Sequence, residues 1–480
     1  MDGLINKDLF RNISLVLALT GMATIALLLS LGNGIGLGLI VYVSPLLLCF
    51  FIVCLRSPFY TFLTLYVASF IVLGLSRYVE FFIPPGLIVD ILILFNFVVI
   101  LIQYLWGERK VESIYFNPVL ALSIGWMLYC ILQIANPMTS FSNWSTSVRN
   151  IGMHIVAFQI LVFFVLDDLK RIKGFFLVWG ILVILATIKA IGQKYIGFDF
   201  AEQAWLDTDG GKTHIIQTGI RYFSFYTDAA NFGCNMGLTM VVFTILIVNE
   251  KHKLRRIFYL FVVLFSVYSF LISGTRAAMA VPFIGFATLV VLVKEWKLII
   301  SGFVLISLFF VFFNYTNIGD ENANIRRMRT AFNLTEDASF IVRMENQEKM
   351  RSFMQYYPFG VGMGSAKNTK DGNLLYGIAT DSSLVFIWVE TGIVGLIFYL
   401  LIFITVLGYG IYYIWFVLKN PAVVSITIAA TSGLAGILVA GYANEVLHQF
   451  PTGQTVYILI GLIMFSRYLD KRLNDVKKIA

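Results

Sequence analysis

Charge is scarce in this sequence. Only 13% of the 480 residues are charged, while 59% are hydrophobic. A soluble enzyme of this length needs far more polar surface, so that class is excluded. Cysteine and histidine are scarce too, with four of each. Cys49, Cys54, Cys130 and Cys234 lie in or beside apolar runs, with no metal-ligand spacing. They read as small packing residues, and no disulfide framework follows. His154, His214, His252 and His448 are scattered. No Walker loop, dinucleotide fingerprint or zinc motif is present. Gly360, Gly362 and Gly364 form a G-x-G-x-G run, but it follows a polar helical stretch instead of a strand, which makes it a turn signal and not a nucleotide signal. No internal repeat of fixed period appears.

Long apolar runs, by contrast, are abundant. Several reach 17 to 21 residues, enough to cross a bilayer at about 1.5 Å per residue. Fourteen candidate spans are read at 13–31, 35–55, 59–76, 87–106, 116–135, 151–166, 174–192, 229–248, 257–273, 277–293, 298–314, 384–404, 423–441 and 455–468. The sequence thus predicts an all-α polytopic membrane protein with about 14 (12–14) transmembrane helices. Lys7 and Arg11 precede the first run, and "SLGNGIG" leads directly into the second without a cleavage signature, so an uncleaved first span is expected.

The net charge of +8 is informative through its location. Alternate links carry Lys7/Arg11, Arg56, Arg109/Lys110, Lys170/Arg171/Lys173, Lys251/Lys253/Arg255/Arg256, Lys294/Lys297, Lys419 and the tail "SRYLDKRLNDVKK". The positive-inside rule places these links, and both termini, in the cytoplasm. That pattern reports topology and gives no reason to expect nucleic-acid binding. The outer set then includes polar segments at 136–150, about 193–228 and about 315–380. Four regions follow: 1–192, the N-terminal spans; 193–314, the central spans; 315–380, a large extracytoplasmic loop; and 381–480, the C-terminal spans and basic tail. Within the loop, 336–357 reads as a helix led by acids, with Ile341, Met344, Phe353, Met354 and Tyr357 on a rough apolar face.

The concentrated polar motifs all fall on the outer side: "TGIRYFSFYTDAANFGCNMG", "SGTRAA", the loop, "ATDSSLVFIWVETGIVGL" and "GYANEVLHQFPTGQ". No ATP or nucleotide sugar is available there, so an enzyme must use a donor already activated and membrane-borne. A lipid diphosphate fits, because arginine binds phosphate bidentately. Arg276 stands between two apolar runs, where an unpaired arginine costs at least about 2.5–3.5 kcal/mol. The plain alternative for Arg221 and Arg276 is snorkelling to the headgroups.

In order, "RYFSFYTDAANFG", "SGTRAAMA", "SFIVRMENQEKM", "YYPFGVGMGSA" and "WVETGIVGL" resemble the bacterial O-antigen ligase and polymerase family of membrane glycosyltransferases over about 215–400. The resemblance implies a GT-C-like architecture in the bacterial inner membrane and a site facing the periplasm. It implies no metal and no cofactor. The substrates would be a glycan donor on undecaprenyl diphosphate and a glycan acceptor, with a chain-length regulator and a flippase as possible partners. Arg221 and Arg276 match the family's two motif arginines, and Arg343 a basic residue before the loop helix. Where ligases carry a His-Asn pair, this chain has "TDSSL" with Asp381, which tilts the expectation from ligase to polymerase.

The expected catalytic residues are Arg221 and Arg276, which would neutralise the leaving diphosphate, and Asp381 as the base. Asp228, His214, Glu445 and His448 are rival bases. Arg343, Tyr222, Asp228, Tyr357 and His448 are expected to bind substrate. Trp144, Tyr226 and Tyr356 are further candidates for stacking on sugars. Asp381 also reads as an N-cap, with Ser382 and Ser383 as alternatives. Glu390, about two turns into its span, is expected to find a structural partner. A lipid-linked oligosaccharide flippase is the alternative of another class.

Overall fold

The computed structural model describes residues 52–79, 84–107, 117–216, 219–293, 296–321, 325–326, 329, 338–366, 374–376 and 378–479. The predicted spans 13–31 and 35–55 lie outside these residues, except for 52–55, and the 315–380 loop is described in part.

Helices dominate, and local chemistry sets where they begin. Proline occupies the first turn of α1 (Pro58–Leu75), α2 (Pro85–Leu105) and α3 (Pro118–Leu132). Its fixed φ suits that position, and its missing N–H has no intrahelical partner there anyway. Asn117 caps α3 by accepting from the Leu120 N–H at 3.0 Å. Then come α4 (Phe141–Val165), α5 (Leu169–Tyr195) and the short α6 (Phe200–Trp205). A two-residue hairpin pairs β1 (Ile215–Ile216) with β2 (Gly219–Ile220). The chain continues through α7 (Ala229–Asn249), α8 (Lys253–Ile272), α9 (Arg276–Leu292, opening with a 3-10 turn) and α10 (Trp296–Tyr315). It ends with α11 (Ala338–Met354), α12 (Ser383–Tyr412), α13 (Pro421–Ala443) and α14 (Thr452–Ile479).

Among the described residues, nine helices are long and apolar enough to cross a membrane, and α9 and the later part of α10 are shorter apolar helices. The bundle centre is α7, 83% buried, with α4 and α13 each at 72%. By contrast α2 is 28% buried, so most of its apolar surface is free to face lipid. α9 packs on α13, α7 packs on α8 and α13, and α14 packs on α4.

Two predicted boundaries change. The segment 136–150 is mostly helical: Ser140 caps a helix that starts at Phe141 and runs through a π turn at Val148–Met153 into the apolar stretch. Ser142, Asn143, Ser145, Thr146 and Ser147 make its first turns look like a loop in the sequence. α14 likewise runs on through the predicted tail to Ile479.

Links of like character meet at like ends of the bundle. At one end, Lys173 and Arg255 pair with Glu250, each at 3.1 Å. Asp470 there accepts from the backbone N–H groups of Lys419 and Asn420. At the other end, Arg77 donates to the carbonyls of Tyr226 (2.5 Å) and Thr227 (3.0 Å). Gln133 donates to the Phe359 carbonyl at 3.0 Å, and the Ser383 N–H to the Asn444 carbonyl at 3.2 Å. The polar motifs are therefore gathered together.

α12 is broken at Gly392, where φ is 73° and ψ −177°. A broken helix in an apolar layer must satisfy its freed backbone groups within the protein. The turn after α11 does this. The Val361 N–H donates to the Val389 carbonyl at 2.9 Å, the Val394 N–H to the Pro358 carbonyl at 3.4 Å, and the Tyr129 hydroxyl to the Thr391 carbonyl at 2.6 Å. Gly360, Gly362 and Gly364 have φ of 84°, 89° and 80°, as tight turns require.

Candidate active site

The first turn of α7 organises one part of the polar end. Asp228 caps it, accepting from the N–H groups of Ala230 (2.7 Å) and Asn231 (2.9 Å). Its negative charge also sits favourably at a helix N-terminus. The "SGTR" turn lies on this same helix end. The Thr275 hydroxyl donates to the Ala229 carbonyl at 2.9 Å and accepts from Arg221 Nη2 at 2.9 Å. Gly233 makes the approach possible: a Cβ there would stand 2.4 Å from Ser273 Oγ.

Arg221 is held on several sides. Its Nη1 donates to the Thr213 carbonyl at 3.0 Å, and its backbone N–H to the His214 carbonyl at 3.0 Å. Its Nε is buried without a partner among the described residues. Burial depresses the Arg221 pKa; Asp228 opposes that shift, and the nearby charges of Arg276 and Arg343 add to it. Arg276 and Arg343, from two other motifs, thus lie near enough to act on Arg221, with the Asp228 carboxylate opposing them. Gathering like charges is unfavourable unless an anion joins them.

The rival base His214 has both ring nitrogens engaged. Nε2 accepts from the Ala229 N–H at 3.0 Å, which leaves Nδ1 as the donor to the Gly210 carbonyl at 2.8 Å. Its ring packs edge-on against Trp205 and Phe223. Burial lowers its pKa from the usual 6.5 to about 4. It acts as a neutral strut between the hairpin and α7.

The other expected site residues scatter. Tyr222 is half-buried and stacks on Phe198, while Tyr357 packs beside the small cluster of Met350 and Met354. Tyr226 is buried, with its hydroxyl on Asn235 Oδ1 at 2.9 Å, so it is a core residue and unable to stack on a sugar. Trp144 donates to the Cys130 carbonyl at 3.1 Å, and Tyr356 is exposed. Asp381 is exposed with φ 38°; the cap of α12 is Ser382, which accepts from the Val385 N–H at 3.3 Å. His448 stacks on Phe386 with ring centroids 4.6 Å apart, and its Nε2 pairs with Glu445 at 3.1 Å.

Sequence reasoning missed a second cluster. Asp90 pairs with both Arg149 and His154, the latter at 2.6 Å. The signal was present: Asp90 is the one charged residue in the apolar run 87–106. Glu390 is fully buried and accepts from the Ser147 hydroxyl (3.2 Å), the Ala366 N–H (3.4 Å) and the Gly364 N–H. Its carboxylate locks the glycine-rich turn to the break in α12.

No curated protein matches the chain. Residues 237–400 match the family model described as O-antigen ligase. The matched segment contains Arg276, Arg343, Asp381 and Glu390, while Arg221, Asp228 and His448 lie outside it. Over residues 237–400, about a third of its length, the chain is similar to the O-antigen ligase family.

Proposed function

We propose that the protein is a glycan polymerase. It moves a glycan from undecaprenyl diphosphate onto the terminal sugar of another lipid-linked repeat, at the outer face of the bacterial inner membrane. The Arg221–Thr275 hydrogen bond, which joins the two arginine motifs, carries this reading, and the charges of Arg276 and Arg343 felt at Arg221 support it. In the reaction, the acceptor hydroxyl oxygen bonds to the donor sugar's anomeric carbon. The bond from that carbon to the diphosphate oxygen breaks, and the lipid diphosphate leaves with the electron pair. The arginines neutralise the charge that builds on it, and fixed donors of this kind are each worth about 10²–10³ in rate. Asp381 takes the hydroxyl proton. The charge rule puts the basic end of the bundle and both termini in the cytoplasm.

The family description favours a second reading, transfer of a finished glycan to lipid A core or protein. Reconstitution with purified lipid-linked repeat separates the two. Longer lipid-linked products identify a polymerase, and transfer only to an added acceptor identifies a ligase. Movement across the bilayer without new bonds identifies a flippase and sinks both. Arg276→Ala is expected to abolish polymer at normal protein levels, and Arg276→Lys to be poor as well, because lysine lacks the bidentate fork. Asn tolerates the left-handed backbone at 381 as Asp does, so Asp381→Asn removes the carboxylate while preserving the turn. Full activity of that variant would remove Asp381 from the base role.

A further inference from the structure

A cavity of about 250 Å³ opens at the polar end, between the start of α2, α4, the start of α12 and the 445–450 link. One wall carries Asp90, Arg149 and His154, and the other Glu445, His448 and Asn150. Phe386 and Phe450 supply aromatic surface. Among the described residues Asp90 sits on the least buried of the candidate spans, where its charge is held by Arg149 and His154.

The lining chemistry narrows the occupant. Two carboxylates face a single guanidinium, so a phosphate is disfavoured. Among the described residues, no three His, Cys, Asp or Glu side chains come together as metal ligands. What the walls offer is a mixture of donors and acceptors, with aromatic faces beside them. Three buried polar atoms on the walls have no partner among the described residues: His154 Nδ1, His448 Nδ1 and Asn150 Oδ1. Buried polar atoms of this kind are normally satisfied. Asn150 Oδ1 is an acceptor, and each imidazole that donates from Nε2 to its carboxylate leaves Nδ1 as an acceptor, so a neutral ligand whose hydroxyl groups donate suits all three. The volume falls below the ~300–1,000 Å³ of drug-sized pockets, which suits a sugar ring or two better than a long oligosaccharide.

Position relates the cavity to the arginines. The Thr227 hydroxyl donates to Gln449 Oε1 at 3.4 Å, and Asn231 Nδ2 to the Phe450 carbonyl at 2.6 Å. Gln449 and Phe450 line the cavity, and Thr227 and Asn231 flank Asp228 in the arginine cluster. The two sites therefore lie on opposite sides of one short segment.

We propose that this cavity is a carbohydrate subsite that holds the terminal sugar of the acceptor glycan. The assignment to the acceptor rests on the glycosyl-transfer reading above; the binding of sugar does not. Asn150 Oδ1 is a buried acceptor without a partner among the described residues, while its Nδ2 is already committed to the His448 carbonyl at 2.9 Å. Arg149 and His154 are oriented by Asp90.

The test uses the full chain in lipid nanodiscs. The probe is glycan extracted from source cells lacking this chain and released from its lipid by mild acid. Binding is read by saturation-transfer NMR. Wild type and Arg221→Ala are expected to bind it, and Asn150→Ala to weaken binding about two- to tenfold, the loss of one hydrogen bond. Gly86→Phe is the second variant: Gly86 lines the cavity, a Cβ there meets nothing within 4 Å, and the added ring is large enough to block the sugar, with an unchanged unfolding midpoint as the check on the fold. Unchanged binding in Gly86→Phe, or no binding by wild type, overturns the subsite. In reconstitution, binding without any glycan transfer leaves the subsite standing and sinks the transferase reading. Transfer with an unchanged acceptor KM in Gly86→Phe does the opposite.

Discussion

Gly392→Ala tests how the loop is joined to the membrane helices. At Gly392 the backbone has φ 73° and ψ −177°, a region that essentially only glycine occupies. A Cβ there would stand 2.0 Å from the Pro358 oxygen, 2.4 Å from the Pro358 carbonyl carbon and 2.5 Å from the Gly360 nitrogen. All three are backbone atoms, so no side chain can swing away to make room. Backbone strain costs about 1–3 kcal/mol and overpacking about 1–3 kcal/mol more. Together they give about 2–6 kcal/mol, delivered at the joint between α12 and the glycine-rich turn. The control lies in the same helix: at Gly408 a Cβ meets nothing within 4 Å, and Gly408→Ala is expected to gain up to about 1 kcal/mol from helix propensity. The assay is thermal unfolding of the detergent-purified protein, with limited proteolysis of the 355–382 segment. A lowered midpoint and faster loop cleavage are expected in Gly392→Ala alone. Equal midpoints for the two variants and wild type would refute the reasoning, since the substitutions differ only in backbone conformation and the space around the new methyl.

Other outcomes follow from individual residues. His214 is held neutral by burial, with its pKa lowered from 6.5 to about 4. The unfolded chain binds the extra proton between those values. Stability from this group is therefore complete above pH 6.5 and is lost as pH falls toward 4, by about 3 kcal/mol in all; His214→Gln should flatten that part of a pH–stability profile. Glu390→Leu leaves the Ser147 hydroxyl and two backbone N–H groups without their acceptor, at about 1–3 kcal/mol each. Its yield in detergent should fall well below that of Glu390→Gln, which keeps an acceptor oxygen. Ser382→Ala removes the α12 cap and should lower the unfolding midpoint by the equivalent of about 1 kcal/mol, while Asp381→Asn, beside it but outside the cap and able to keep the left-handed backbone, should cost less.

Apolar periodicity made the membrane helices legible in the sequence, because 17 to 21 residues of uninterrupted hydrophobicity permit little else. The helix within the loop was legible for a different reason: 336–357 lacks glycine and proline, and the structure has Ala338–Met354. Arg276 stood out by charge placement, between two apolar runs, whereas Arg221 and Arg343 were singled out through the family resemblance. What was hidden depended on pairing across the chain. Ser142 to Ser147 look like a loop until their partners at Cys130 and Glu390 are seen. Asp90 and His154 are 64 positions apart and looked like isolated polar residues in apolar runs. The break at Gly392 was invisible because "ETGIVGL" has no proline, and only the arrival of the Pro358 turn reveals why the helix opens there.

The buried carboxylate of Glu390 has a consequence for how the protein is made. Its donors come from Ser147, Gly364 and Ala366, all earlier in the chain. Synthesis runs from the N-terminus. By the time the ribosome reaches α12, every partner of its one carboxylate already exists. The most expensive side chain in that span enters the bilayer with its counterparts waiting, so the order of the sequence is itself a timetable for burying a carboxyl group.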